Sequence, residues 1–224
     1  VIAVLTVFLG KSGSDGEDSG SSGEKQESSS SDTPDSSSHT PETPETSVAN
    51  FAKLPEACKT ISEGALDQLV PGVKVKNGTA DTSNTADNSR CYWSGSDDTN
   101  SFRFLSVTLW RYDSDTRSGD QHAEDTYDKV IADARTRTDA WNIETEPAPD
   151  IGDQATAISF DSKTNKEDSK EATLVARTGN VVVRVYDSGS SLLDNGSPPT
   201  SASIVRDATT AAKIVVTSVA DANR

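Results

Sequence analysis

Two histidines and two cysteines are all that a chain of 224 residues offers here to nucleophilic or soft-metal chemistry. A Ser/His/acid or Cys/His arrangement needs an imidazole as base. His39 lies in a Ser/Thr-rich tract, and His122 stands among Asp120, Glu124 and Asp125, where it reads as a solvated surface side chain. Zinc is short of ligands, because Cys58 and Cys91 read as a bonded pair. The best calcium candidate is Asp113-Ser114-Asp115, with Glu124 at the twelfth position of an EF-hand-like loop. Arg117 then stands where the fifth position needs an oxygen, and Ser118 where the sixth needs Gly. An acidic turn between a strand and a helix accounts for these residues equally well. Paired carboxylates could serve a glycosidase, but acids are abundant throughout and no pair stands out. No Gly-rich phosphate loop is present. No catalytic residue, cofactor-binding residue or metal ligand is therefore expected, and no cofactor.

The cysteines carry more information as a pair. Cys58 falls in the first predicted helix and Cys91 at the start of the first predicted strand. In an exported chain an even pair reads as a disulfide, whereas in a reducing compartment two free thiols are the default. The N-terminal segments favour export, so a Cys58–Cys91 bridge is expected. Closing a loop of that length contributes roughly 3–4 kcal/mol on the chain-entropy model. A redox-active pair lacks the Cys-x-x-Cys spacing that lowers a thiol pKa.

Those N-terminal segments differ sharply in composition. Residues 1–9, Val1 to Leu9, are uninterruptedly apolar and too short to cross ~30 Å of hydrocarbon alone. They read as the outer part of a transmembrane helix, with a signal-peptide remnant or a buried strand as alternatives. The chain starts at Val1 and contains no Met, so its start is expected upstream. Lys11 stands where a lipoprotein signal would need Cys. Residues 10–46 hold Ser, Gly, Thr, Pro and acids, with no aromatic or large aliphatic side chain. Nothing there offsets the entropy of ordering, so a disordered stalk is expected, reaching about 35 Å. O-glycosylation and binding of a basic partner compete with a plain spacer.

Residues 47–224 are expected to form one extracytoplasmic domain, long enough to bury a core. The whole chain has 36 acids against 21 bases and a formal charge of −15, which argues against nucleic acid and anionic lipid surfaces as partners. Periodicity predicts helices over Pro55 to Leu69, Asp120 to Arg135 and Ile204 to Val219. Strands are predicted over Arg90 to Trp93, Phe102 to Tyr112, Ala155 to Phe160, Glu171 to Arg177 and Val181 to Tyr186. Trp141 to Pro149 reads as a proline-rich link, and Asp161 to Ser169 as a polar hairpin loop. The order argues for an α+β fold: an antiparallel sheet with about three helices packed on one face and one disulfide, preceded by a disordered stalk and a partial transmembrane helix.

In the long predicted strand, Leu105, Val107 and Leu109 share one face, while Phe102, Phe104, Trp110 and Tyr112 share the other. With helices on the aliphatic side, these aromatics form a candidate binding face for a cleft or a partner. The alternative is a second covering layer made by the loops or by Trp141.

A resemblance joins these pieces. The first-helix Cys58, the Cys91-Tyr92-Trp93 strand, Gly152-Asp153-Gln154-Ala155, the Arg177 to Val183 hairpin and the Ala-rich last helix together resemble exported, membrane-tethered actinobacterial lipoproteins of unknown function. They are also similar to the extracellular sensor domains of mycobacterial receptor kinases. The resemblance spans Leu54 to Val219 and implies an α+β fold with no catalytic residues. Taken with the apolar start and the stalk, the chain is expected to be a ligand-sensing or protein-interaction domain, without catalysis, on the outer side of a single-pass membrane protein. The partner would be an unknown small ligand or an envelope protein. A cell-envelope hydrolase using acidic residues, or a purely structural surface protein, are the readings of other classes.

Overall fold

Alternation along the strands gives this chain two buried sheet faces, and the helices divide between them. The computed structural model describes residues 49–164, 167–192 and 199–224. The expected anchor and stalk, residues 1–9 and 10–46, lie outside the described residues. No helix among the described residues is long and apolar enough to cross a membrane.

The elements run β1 (Thr79–Ala80), β2 (Asn88–Ser96), β3 (Ser101–Arg111), β4 (Ala140–Pro147), β5 (Gln154–Thr164), β6 (Glu167–Thr178) and β7 (Val181–Ser191). The helices are α1 (Glu63–Leu69), α2 (Gly119–Arg135) and α3 (Ser201–Ala222), with a 3-10 turn at Ala57–Lys59. The strands form one seven-stranded sheet in the order β1-β2-β3-β7-β6-β5-β4, and every pairing is antiparallel. The expected α+β sheet with three helices and a disulfide is therefore present. Cys58 and Cys91 are bonded, with Cα atoms 5.1 Å apart. The bridge ties the 3-10 turn to β2.

The helices do not all pack on one face. Leu105, Val107, Leu109, Leu174, Val183 and Val185 point toward α1 and α3, where Ile204, Ala208, Ala211, Ala212, Val215 and Val219 lie buried against them. Small residues on α3 let its backbone approach the sheet closely. The intervening positions Ile158, Phe160, Val175 and Val182 point the other way, and Ala123, Tyr127, Ile131 and Ala134 of α2 bury them. The cause is the near-continuous apolar run of the central strands, which must be covered on both sides.

Three predicted boundaries also change. Pro55 to Leu69 is not one helix, because Ser62 adopts an extended conformation (ψ 156°) and its side chain accepts the Ala65 N–H at 3.4 Å, starting α1 afresh. The proline-rich link is strand β4. Its Glu144 and Glu146 face solvent on the sheet edge, and Pro147 ends it where a missing donor costs nothing. The polar hairpin loop is mostly strand, since Asp161 pairs directly with Lys170 and Lys163 with Asp168. The first pair joins at 2.7 Å, and opposite charges across a ladder support pairing.

One turn needs its glycine. Gly179, between β6 and β7, has φ +53° and packs against the Ala49 backbone, while its N–H donates to Asp153 Oδ2 at 2.6 Å.

Candidate binding cleft beside helix α2

Helix α2 begins after Ser118, whose N–H donates back to Gln121 Oε1 at 3.2 Å, and it stops at Arg135. Its apolar stripe covers β5–β7 and reaches only the end of β3, at Trp110 and Tyr112. The rest of β2 and β3 on this face carries no helix among the described residues, and the edge of the covered part is a cleft of about 570 Å³. Trp110, Tyr112, Thr173 and Arg184 of the sheet line it, with Thr126, Val130 and Ala134 of α2 and Arg137 beyond the helix end. That size suits a small organic ligand.

The strand register explains which side chains meet there. Thr108 of β3 stands opposite Arg184 of β7, and Ser106 opposite Tyr186. Short side chains at Ser106 and Thr108 leave space that the flanking rings fill. Tyr92 and Phe104 stack with centroids 6.0 Å apart, and Phe104 meets Tyr186 edge-on at 6.0 Å. At the other end, Thr126 Oγ1 donates to Tyr112 Oη at 2.7 Å, fixing that ring against α2.

Glu171 anchors the polar part of this face. Its carboxylate is 2% exposed, accepts from Ser162 Oγ, and accepts from Tyr186 Oη at 2.7 Å and Arg137 Nη1 at 2.9 Å. Arg137 also pairs with Asp139 at 2.6 Å and lies over the Phe160 ring, 4.6 Å from its centre. Asp139 and Glu171 hold the guanidinium above its ordinary pKa. Burial, then the Glu171 charge and hydrogen bond, push the Tyr186 phenol well above its own. Glu171 is thus committed to holding three neighbours.

Arg184 differs from these groups. It has no ion pair with any described carboxylate, its Nε has no hydrogen-bond partner among the described residues, and its guanidinium lies 5.9 Å from the centre of the Tyr186 ring. Burial lowers its pKa, repulsion from Arg90 and then Arg137 adds to that, and attraction to Tyr186 and Asp133 opposes it. On the rim, Lys129 and Asp133 bind each other at 2.7 Å.

The four aromatics singled out in the sequence do share the face opposite α3, and all four are half-buried. They do not share a site. Trp110 and Tyr112 line the cleft, and Phe104 belongs to the aromatic floor beside it. Phe102 instead borders a separate recess of about 350 Å³ with Gly72, Val75 and Tyr92. The covering layer over Trp110 and Tyr112 is α2, not the loops or Trp141. Trp141 sits on β4 and remains 41% exposed. Sequence reasoning missed Arg137, Glu171, Arg184 and Tyr186. The alternation Val181, Val183, Val185 against Arg184 and Tyr186 was the available signal.

Other features hold less. A groove of about 680 Å³ between the start of α3 and β4 has no aromatic lining. At the calcium candidate, Arg111 takes Asp113, while Asp115 accepts from the Arg117 N–H and His122 Nε2, both at 2.9 Å. Those two bonds bring the Asp115 pKa down to about 2. No group of three or more possible metal ligands occurs among the described residues.

No protein-family model matches the sequence, and no curated protein matches it. Among solved structures, the chain is similar to LpqN of Mycobacterium tuberculosis, described as involved in cell envelope biogenesis. The TM-score is 0.33 and the identity 9%, over 64% of this chain and 95% of LpqN. Likeness at that level transfers neither partner nor activity.

Proposed function

We propose that this domain is the extracytoplasmic part of a membrane-anchored protein, working as a ligand-sensing or protein-interaction module without catalysis. The cleft beside α2 carries the reading. It offers Trp110 and Tyr112 as an apolar wall and a half-buried guanidinium that no described carboxylate pairs, while the acids near it are held by Arg137, Lys129 and Tyr186. Such a surface can hold a small molecule. The Cys58–Cys91 bridge supports maturation in an oxidising space, and the apolar start followed by an acidic Ser/Gly/Pro tract supports a tether and spacer. The test is a small-molecule screen on the full chain, read by amide and indole proton shifts in two-dimensional NMR. Binders are expected to move Trp110, Tyr112 and Arg184 together. A broad screen in which no compound moves those residues overturns the reading, as does turnover of a bound compound.

A further inference from the structure

From the charge around that cleft we infer its ligand class: a small carboxylate with a flat apolar body, its oxyanion on the Arg184 guanidinium and its body against Trp110 and Tyr112. The inference rests on the binding reading above and sharpens it.

Arg184 is out of keeping with the rest of the chain. With 36 acids to 21 bases, a guanidinium can readily find a carboxylate, and nearly all the others do. Arg103, Arg111 and Arg137 each hold two carboxylates, and Arg90, Arg117, Arg177, Arg206 and Arg224 one each. Arg135 also lacks one, but it is exposed and donates to Thr145. Arg184 alone is half-buried without an ion pair among the described residues, and it stands on a central strand where β7 places it in the cleft wall. A desolvated, uncompensated charge costs folding free energy. An anion arriving at that position repays the cost, and a planar guanidinium matches a planar carboxylate by two parallel hydrogen bonds. Arg90 and Arg137 beside it are each held by carboxylates of their own, so Arg184 is the guanidinium of the cleft left for an incoming anion.

The neutral wall sets the rest of the ligand. Trp110 and Tyr112 present ring surface, and Val130 closes the cleft from α2. A body of one or two fused rings fits a volume of about 570 Å³ with its carboxylate turned toward β7.

The experiment compares three probes of one shape on the full chain: 2-naphthoate, 2-naphthalenemethanol and 2-naphthylmethylamine. Binding is followed by the Trp110 indole N–H in NMR titrations and by calorimetry. The carboxylate is expected to bind about 10- to 100-fold more tightly than the alcohol, as charge-assisted bonds to a desolvated guanidinium do. The amine is expected to bind most weakly. R184Q is expected to bring the carboxylate down to the affinity of the alcohol and to leave the alcohol unchanged, and R184K to keep part of the preference. If carboxylate and alcohol bind alike at Trp110, the anion assignment falls and the cleft remains a binding site. If no probe moves Trp110, the assignment and the binding reading fall together. Should R184Q not fold, the order of the three probes on the native chain and the R184K comparison decide the matter.

Discussion

Arg103 Nη2 lies 2.7 Å from Asp187 Oδ2 beneath α3, with the Asp187 side chain fully sealed and that of Arg103 only 8% exposed. The same nitrogen reaches Asp207 Oδ2 at 3.0 Å, so one guanidinium serves two carboxylates, with Arg206 from the surface supporting Asp207 alone. The residues come from β3, β7 and α3. The trio therefore fixes how the last helix sits across the central strands.

This arrangement predicts an unusual stability profile. Burial raises the Asp187 pKa from 3.8 to about 7, outweighing the pull of Arg103, and the Asp207 charge adds to the rise. The folded chain then holds a proton that the unfolded chain has released. The contribution is complete below pH 4 and is lost as the pH climbs through about 7, a change of about 4 kcal/mol. Carboxylates lowered by their bonds, such as Asp115 and Asp97, act in the opposite sense in acid. Urea unfolding should therefore show the midpoint falling from pH 5 to pH 8. D187N should flatten that slope, and an unchanged slope in the variant rules the linkage out.

Breaking the staple should be costly. Cys91 is fully buried, Cys58 sits on the 3-10 turn, and 33 positions separate them. Replacing both by Ser is expected to lower stability by about 3–4 kcal/mol in denaturant titrations. The wild-type chain in reductant should fall by a similar amount. A loss below about 1 kcal/mol would mean that packing of the 3-10 turn, with Ala57 N–H on Ser89 Oγ at 2.9 Å, holds this segment unaided.

Asn180 offers a prediction that burial alone does not. It is 1% exposed, and its side chain donates to the carbonyls of Phe51 and Tyr112 at 3.1 and 2.8 Å and accepts the Phe51 N–H at 2.7 Å. Three backbone groups from two distant segments depend on it. Asn180→Ala should cost about 1–3 kcal/mol by stranding them, and it should speed amide exchange at Phe51. Protection at Phe51 that matches the wild type removes this role.

Much of the fold was legible because its signals were local. The alternation in Phe102 to Tyr112 gave β3, the Ala/Val stripe gave α3, and the cysteine pair gave the bridge. The two-sided cover was written in Leu174-Val175-Ala176 and Val181-Val182-Val183, which leave no polar face for solvent, yet which helix covers which side depends on the path from β3 to the far edge. β4 was opaque because edge strands carry the charges and proline that mark loops. The cleft was half legible. Trp110 and Tyr112 stand two residues apart at the end of β3 and just beyond it, whereas Arg184, Glu171 and Arg137 join them only through the pairing of β3, β7 and β6 and the turn after α2.

Glu171 links that cleft to the sheet behind it, and its replacement should be readable at a neighbour. Tyr186 is held above its ordinary pKa by burial first and by the Glu171 charge and hydrogen bond next. E171Q removes the charge and keeps the shape, so the phenol should ionise at lower pH than in the wild type while burial still keeps it above ordinary tyrosine. Phenolate absorbance against pH measures this directly, with Tyr186→Phe identifying the step. Arg137 would retain Asp139 but lose its buried partner, and the loss of bonds to a charged acceptor should cost about 1.5–3 kcal/mol. A Tyr186 titration identical in E171Q and wild type would show that Glu171 does not govern the phenol, and with it the polar frame of the cleft would need another anchor.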